Sequence, residues 1–281
     1  MTMRIQITLT SQEGKRIIAW GIRVHPLVRK ARRSGKIILK GGTTVSAISE
    51  VLCGKPLRIS GMITPKGTQT SKFKNEIHLP HSLILVGKKI IPLETREAWE
   101  KETLDFTPED LVVTGANAID IHGHAAIMAG TYAGSPSLPS FQSLLIEGVP
   151  FLIAAGLEKL VPGNIMDLLP IQGRRKVDIS YGMSVGLIPI FGRVFTEVQA
   201  LETLAKVKVW VIGKGGILGA EGSSTLLIEG PQTEILKIDS LYQEVKEARL
   251  SPLPRNLIPC SRGNVSCKNH IGCLYKEGKR I

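Results

Sequence analysis

Lys36-Ile-Ile-Leu-Lys-Gly-Gly-Thr-Thr44 decides the fold: a short aliphatic run breaks at two glycines and passes at once into the amphipathic segment Val45 to Leu52. That reads as a strand, a glycine loop and a helix. The pattern recurs downstream. Leu111-Val-Val-Thr114 leads into Gly115-Ala-Asn117, and Pro150-Phe-Leu-Ile-Ala-Ala155 exits through Gly156-Leu-Glu-Lys159. Short apolar strands alternating with helices predict an α/β fold with a doubly wound, mainly parallel sheet covered on both faces. Ligands of such sheets sit beyond the carboxyl ends of the strands, so these three loops are expected to converge on the site.

Working outward, Met1 to Thr10 alternates like a strand, Ser11 is placed to cap a helix through Trp20, and Pro26 opens a second helix that Gly35 stops. Leu57 to Leu93 reads as short strands, with the lysine-rich stretch Pro65 to Asn75 an exposed, mobile loop. Beyond Gly182 come a strand at Val185 to Phe191, a helix at Glu197 to Ala205, strands at Val207 to Ile212 and Thr225 to Glu229, and a helix from about Ile238 to Leu250. That order suggests a smaller ferredoxin-like α+β domain. The expected organisation is therefore an α/β ligand-binding domain with basic N-terminal helices over 1–165, the small domain over 182–250, and a basic Cys/His tail over 251–281.

The 281 residues are 43% hydrophobic and 21% charged, a globular composition, and with aromatics at 5% the core must be built from Ile, Leu, Val and Ala. The chain has no apolar run of about 18 residues and no hydrophobic leader at Met1, so a soluble cytoplasmic protein with no membrane partner is expected. The net charge of +12 lies at the ends: residues 1–40 carry ten Lys and Arg against Glu13 alone, and residues 249–281 carry seven against Glu277 alone. Such a basic stretch attracts nucleic acid, membrane headgroups or a phosphorylated substrate, unless it only solvates a helix face.

The loop Gly41-Gly42-Thr43-Thr44 sits where a strand feeds a helix N-terminus, whose unpaired amides suit an anion or carboxylate. The spacing of a nucleotide P-loop is absent, and a tight turn with a threonine cap is the plainer alternative. A second glycine cluster, Gly213 to Ser224, offers an anion nest from Gly215 and Gly216 with Lys214 beside it and Ser223 or Ser224 as donors, or else a wide hairpin turn. If both loops bind, the ligand lies between the two domains and Glu221 becomes the candidate acid or base. Asp120, His122 and His124 follow the second strand closely and could transfer protons or hold a divalent metal, or simply cap a turn. Lys159 is a further candidate cation for the ligand.

Asp110-Leu-Val-Val-Thr-Gly-Ala-Asn-Ala-Ile-Asp120, Gly130-Thr131 and the Val149-Pro-Phe151 strand entry together resemble the core of the methylthioribose-1-phosphate and ribose-1,5-bisphosphate isomerases and the related initiation-factor subunits. Gly41 to Thr44 likewise resembles the phosphate loop of ribose-5-phosphate isomerases and glucosamine-6-phosphate deaminases, which share a superfamily with CoA transferases. The resemblance spans roughly residues 30–160 and implies a phosphorylated or otherwise anionic small-molecule ligand held by Gly41, Gly42, Thr43, Thr44, Gly115, Gly130 and Thr131 and oriented by Asn117. It also shows departures. Asn117 stands where the isomerases place their catalytic Asp, Ile127-Met128 stands where they place Asn-Lys, and their Pro-x-x-Cys-Asn-Thr-Gly motif is absent. The resemblance therefore implies a divergent isomerase or transferase whose proton carriers are Asp120, His122 or His124. The alternatives are a non-catalytic regulatory or nucleic-acid-associated protein and a metal or redox sensor. A homo-oligomer suits all three.

The tail Cys260-x6-Cys267-x2-His270-x2-Cys273 supplies three thiols and one imidazole, a full set for zinc or part of an iron-sulfur site. Gly263, Asn264 and Gly272 would let its loops turn, and Arg255, Arg262 and Lys268 would favour thiolates. Cys53, on the helix after the first glycine loop, is expected in the core instead.

Overall fold

The computed structural model describes residues 1–72, 79–132, 137–246, 248–249, 251, 257–260 and 265–277. The chain opens with β1 (Thr2–Leu9), α1 (Ser11–Val24), α2 (Pro26–Ser34), β2 (Ile37–Lys40) and α3 (Thr43–Cys53). Next come the hairpin β3 (Gly61–Thr64) and β4 (Gly67–Thr70), then β5 (Ser82–Val86), β6 (Lys89–Pro92), α4 (Arg96–Thr103) and β7 (Leu111–Thr114). The middle holds β8 (Ala118–Ile119), β9 (Ala125–Ala129), α5 (Leu138–Ile146), β10 (Phe151–Ala154) and the single turn α6 (Ile165–Leu168). The rest is β11 (Gly186–Ile190), β12 (Arg193–Phe195), α7 (Glu197–Leu204), β13 (Lys208–Lys214), β14 (Ser224–Pro231), α8 (Gln232–Val245) and α9 (Leu274–Glu277). No described helix is long and apolar enough to cross a membrane.

The protein is mixed α/β, centred on a six-stranded sheet in the order β12-β10-β7-β2-β5-β6. The four strands from β12 to β2 run parallel, and β5 and β6 are antiparallel additions. Side-chain alternation divides the sheet cleanly. Ile37, Leu39, Leu83, Val113 and Leu152 face a core built with α1, α2, α3 and α7, whereas Ile38, Ile84, Val112 and Phe151 face Trp99 of α4 and Phe141 of α5. Both faces are thus covered by helices, which is why every residue of β2, β7 and β10 is buried. The scarce aromatics are concentrated on the second face, where Phe141 meets Trp99 and Phe151 edge-on at ring separations of 6.0 and 5.1 Å.

A second, antiparallel sheet has the order β1-β14-β13. Its inward residues Ile7, Leu9, Val209, Leu226 and Ile228 belong to the same core as the first face of the large sheet. Of the strands expected to form a ferredoxin-like unit over 182–250, β11 pairs with β9 and β12 joins the large sheet. The hairpin β13-β14 takes its third strand from the N-terminus, through Thr2↔Pro231 to Leu9↔Ser224. Gly21 of α1 makes this closeness possible. A Cβ there would fall 2.7 Å from Ala200 Cβ of α7, so the helices touch backbone to backbone.

Local expectations are corrected in three places. Thr10, not Ser11, caps α1, because Thr10 and Glu13 exchange bonds in a capping box. The expected mobile loop from Pro65 is in part the hairpin β3-β4, whose Gln69, Thr70 and Ser71 are buried, and residues 73–75 lie outside the described residues. The last long helix starts at Gln232 and ends at Val245.

Candidate functional site

Adjacent parallel strands β2 and β7 send the chain to opposite faces: α3 after β2 packs on the first face, and α5 after β7 packs on the second. Their loops therefore diverge at the carboxyl edge of the sheet, the edge at which open α/β sheets bind ligands. Lys40 and Thr114 are register partners there, with Ser82 of β5 on the other side of Lys40. Alternation puts all three side chains on the second face, one position beyond Ile38, Val112 and Ile84 along each strand's row. Because α5 feeds β10 from the amino edge, its first turn returns to this same carboxyl edge. Ser140 in that turn is buried, and its hydroxyl has no hydrogen-bond partner among the described residues.

Lys40 is 7% exposed and, among the described residues, its side chain makes no hydrogen bond and no ion pair. Burial lowers its pKa to about 8, so it remains mostly charged at neutral pH. Beside it, His81 is held neutral: burial and the Lys40 charge lower it to about 4, against the opposing bond from its Nδ1 to the Arg58 carbonyl at 2.8 Å. A carbonyl can only accept, so Nδ1 carries the proton and Nε2 is an acceptor. His81 explains Gly41, where a Cβ would strike the His81 carbonyl oxygen and lie 2.5 Å from two of its ring atoms. Gly41→Ala is therefore expected to cost about 1–3 kcal/mol in urea unfolding. An unchanged unfolding midpoint would contradict this packing.

His81 also makes a pH dependence. The unfolded histidine protonates near 6.5 while the folded one resists to about 4, so the unfolded state binds more protons between these values. Stability is expected to fall by roughly 3 kcal/mol as the pH drops through this window. Denaturant titrations of native protein and His81→Gln at pH 7 and 4.5 should show a smaller loss in the variant.

α3 begins with Gly42 as its cap and receives no side-chain capping bond, so Thr43 and Thr44 are its first two residues rather than its caps. Its leading amides are left for another acceptor. A Cβ added at Gly115, at the end of β7, would meet the Ala154 carbonyl only at 3.7 Å, an ordinary contact, so packing does not demand a glycine there.

At the exits of β10 and β12 lies a polar cluster that joins four segments. The carboxylate of Glu197, first residue of α7, accepts from the Leu157 amide at 2.9 Å and from Ser224 Oγ at 3.2 Å. Lys214 Nζ donates to Ser224 Oγ at 2.8 Å, and Lys15 Nζ lies 3.2 Å from Glu158 Oε1. Burial, reinforced by Glu158, raises the Glu197 pKa, while burial lowers those of Lys159 and Lys214. Of the expected cations, Lys214 thus faces two carboxylates, Glu197 and Glu158, and Lys159 faces Glu158. The buried acid here is Glu197, whereas Glu221 is exposed on the turn. Gly215 and Gly216 are explained by that turn, the first by φ +94° and the second by Ala220, whose carbonyl a Cβ would meet at 2.6 Å.

Asp120 organises its own loop. Oδ1 accepts from the His122 and His124 amides and Oδ2 from His124 Nδ1 and the Ile165 amide, each at 2.9 Å. Burial raises its pKa, but these donors outweigh it and bring the value to about 2. Asp120 is thereby a committed acceptor rather than an available base, and what remains for chemistry is the oriented ring of His124 beside exposed His122. Asn117 is similarly engaged: its Oδ1 accepts from the Met128 amide at 3.0 Å and its backbone N–H donates to the Ala126 carbonyl. Gly130 makes room for Met183, which a Cβ would strike, and Thr131 keeps a partner of its own.

Cys260, Cys267, His270 and Cys273 all line one small cavity, while Cys53 stays apart and bonds back to the Ser49 carbonyl within α3. Among the described residues no group of three or more His, Cys, Asp and Glu is already arranged to hold an ion. Arg255, Arg262, Gly263 and Asn264 lie outside the described residues, and Lys268 is exposed.

No protein-family model, curated protein or solved structure matches the chain. Function must therefore be argued from the site itself. Sequence reading missed Lys40, His81, Thr114 and Glu197. The one available signal was Lys40, a cation closing an aliphatic strand immediately before two glycines.

Proposed function

We propose that the chain binds a phosphorylated small molecule, or a comparable small anion, at the carboxyl edge between β2 and β7, as a divergent relative of the sugar-phosphate isomerases and CoA transferases. The observation that carries this reading is Lys40. A buried cation without a counter-charge costs several kcal/mol of folding free energy. An anion seated against it would remove that cost and accept from the uncapped amides of α3. Ser82, Thr114 and Ser140 add hydroxyls on the same face of the sheet.

Asn117 and the Ile127-Met128 pair cannot supply the acid-base chemistry of the isomerases, so any proton transfer falls to groups such as His124. A nucleic-acid partner ranks behind this reading. Of the basic N-terminal residues, Arg4, Lys15, Arg16, Lys30 and Lys36 are already paired with Glu229, Glu158, Glu50, Glu109 and Asp105.

Thermal unfolding in the presence of inorganic phosphate, ribose 5-phosphate and coenzyme A tests the proposal. At least one should raise the unfolding temperature saturably, since ligand at about 100 times Kd stabilises by ~2.7 kcal/mol. No response to any of them, or steeply salt-dependent RNA binding instead, would overturn it.

A further inference from the structure

We infer that Cys260, Cys267, His270 and Cys273 form a closed site for one zinc ion that fastens residues 257–260 and 265–277 to the β3-β4 hairpin and to residues 180–184. The backbone around these four residues is already fixed to other parts of the chain. The Cys260 amide donates to the Thr70 carbonyl at 2.7 Å, and Pro259 bridges Ser71. Cys273 bridges Ser180, whose amide donates to the Gly272 carbonyl and whose carbonyl accepts from the Leu274 amide, both at 3.2 Å. Ser184 Oγ donates to the Ile271 carbonyl at 2.9 Å, and the His270 amide donates to the Cys267 carbonyl at 3.1 Å.

These anchors bring three thiols and an imidazole, spread over fourteen residues, to the wall of one cavity of about 20 Å³. That volume holds a single water-sized body. None of the thiols is in a disulfide, and no carboxylate lines the cavity, so its donors favour a soft cation over a hard one. Three soft thiolates and one imidazole complete a tetrahedron and leave no open position, the pattern of a structural rather than a catalytic ion. Metal binding requires these side chains to turn toward one another, since among the described residues no three of them are arranged for an ion without it. Loading releases the three thiol protons, and the resulting site of net charge −1 sits near Lys268 and near Arg174, which donates to the Asn269 carbonyl at 2.9 Å.

Elemental analysis of tag-free full-length protein, purified without air and in reductant, tests this independently of the anion site. One zinc per chain is expected in the native protein and in Cys53→Ser, with loss of that zinc in Cys267→Ser and Cys273→Ser. Because those two variants can fail to fold, native protein exchanged with Co²⁺ provides a second readout, an intense visible spectrum of tetrahedral thiolate coordination. A metal-free native protein, iron with acid-labile sulfide in place of zinc, or a disulfide among Cys260, Cys267 and Cys273 under reductant would each overturn the inference.

Discussion

Without ligand, Lys40→Met is expected to be more stable than the native protein, by ~3 kcal/mol at pH 7. The figure follows from a folded pKa of about 8 against the ordinary lysine value of 10.5. Methionine keeps the length and apolar stem of lysine, so little packing is lost. At roughly 2 °C per kcal/mol for a chain of this size, calorimetry should show an increase on the order of 6 °C. The pH dependence gives the sign an independent check. Below about pH 8 both states are protonated and the full penalty applies; between there and 10.5 the unfolded state binds more protons, so native stability recovers as pH rises. Native and variant proteins should therefore converge at alkaline pH. A variant less stable than the native protein at pH 7 would mean that Lys40 is compensated.

Asp120→Ala is expected to destabilise the protein by about 3 kcal/mol in urea unfolding. Four donors lose one buried acceptor, and the cost of leaving such groups unsatisfied is about 1–3 kcal/mol each before water partly repairs it. The Ile165 amide is buried and has the least access to water, so its loss should dominate. Asp120→Asn keeps an acceptor and should cost less. Because the folded pKa lies below the ordinary value of 3.8, this contribution is intact above about pH 4 and disappears only as pH falls toward 2. A change under 0.5 kcal/mol for the alanine variant would contradict the loop geometry.

The large sheet was legible because its strands announce themselves twice, by aliphatic runs and by the glycines that end them. β1 was legible as a strand, but not its partner: pairing Thr2 with Pro231 is a long-range choice that no local pattern encodes. The β3-β4 hairpin was hidden for a related reason. Gly67-Thr-Gln-Thr70 looks like a polar loop, and its burial comes from the distant 180–184 and 257–260 segments that cover it.

The candidate site divided along the same line. Gly41, Gly42 and Lys159 could be picked from sequence because glycines and cations are visible there, whereas the lack of a counter-charge at Lys40 exists only in three dimensions. Asp120 shows the opposite error: an acid beside two histidines suggests chemistry, yet its oxygens are spent on holding those histidines in place. Glu197 offered no signal, since a glutamate opening a helix is ordinary until Leu157 and Ser224 close around it.

Calorimetric titration of ribose 5-phosphate and inorganic phosphate into native protein and Lys40→Met at pH 7 tests most directly whether the carboxyl edge between β2 and β7 is an anion site. Saturable binding to the native protein is expected, weakened on the order of 100-fold in the variant by loss of a buried charge-assisted contact. Equal affinity in both proteins would contradict the assignment to Lys40, and no binding of either probe to the native protein would contradict the site itself.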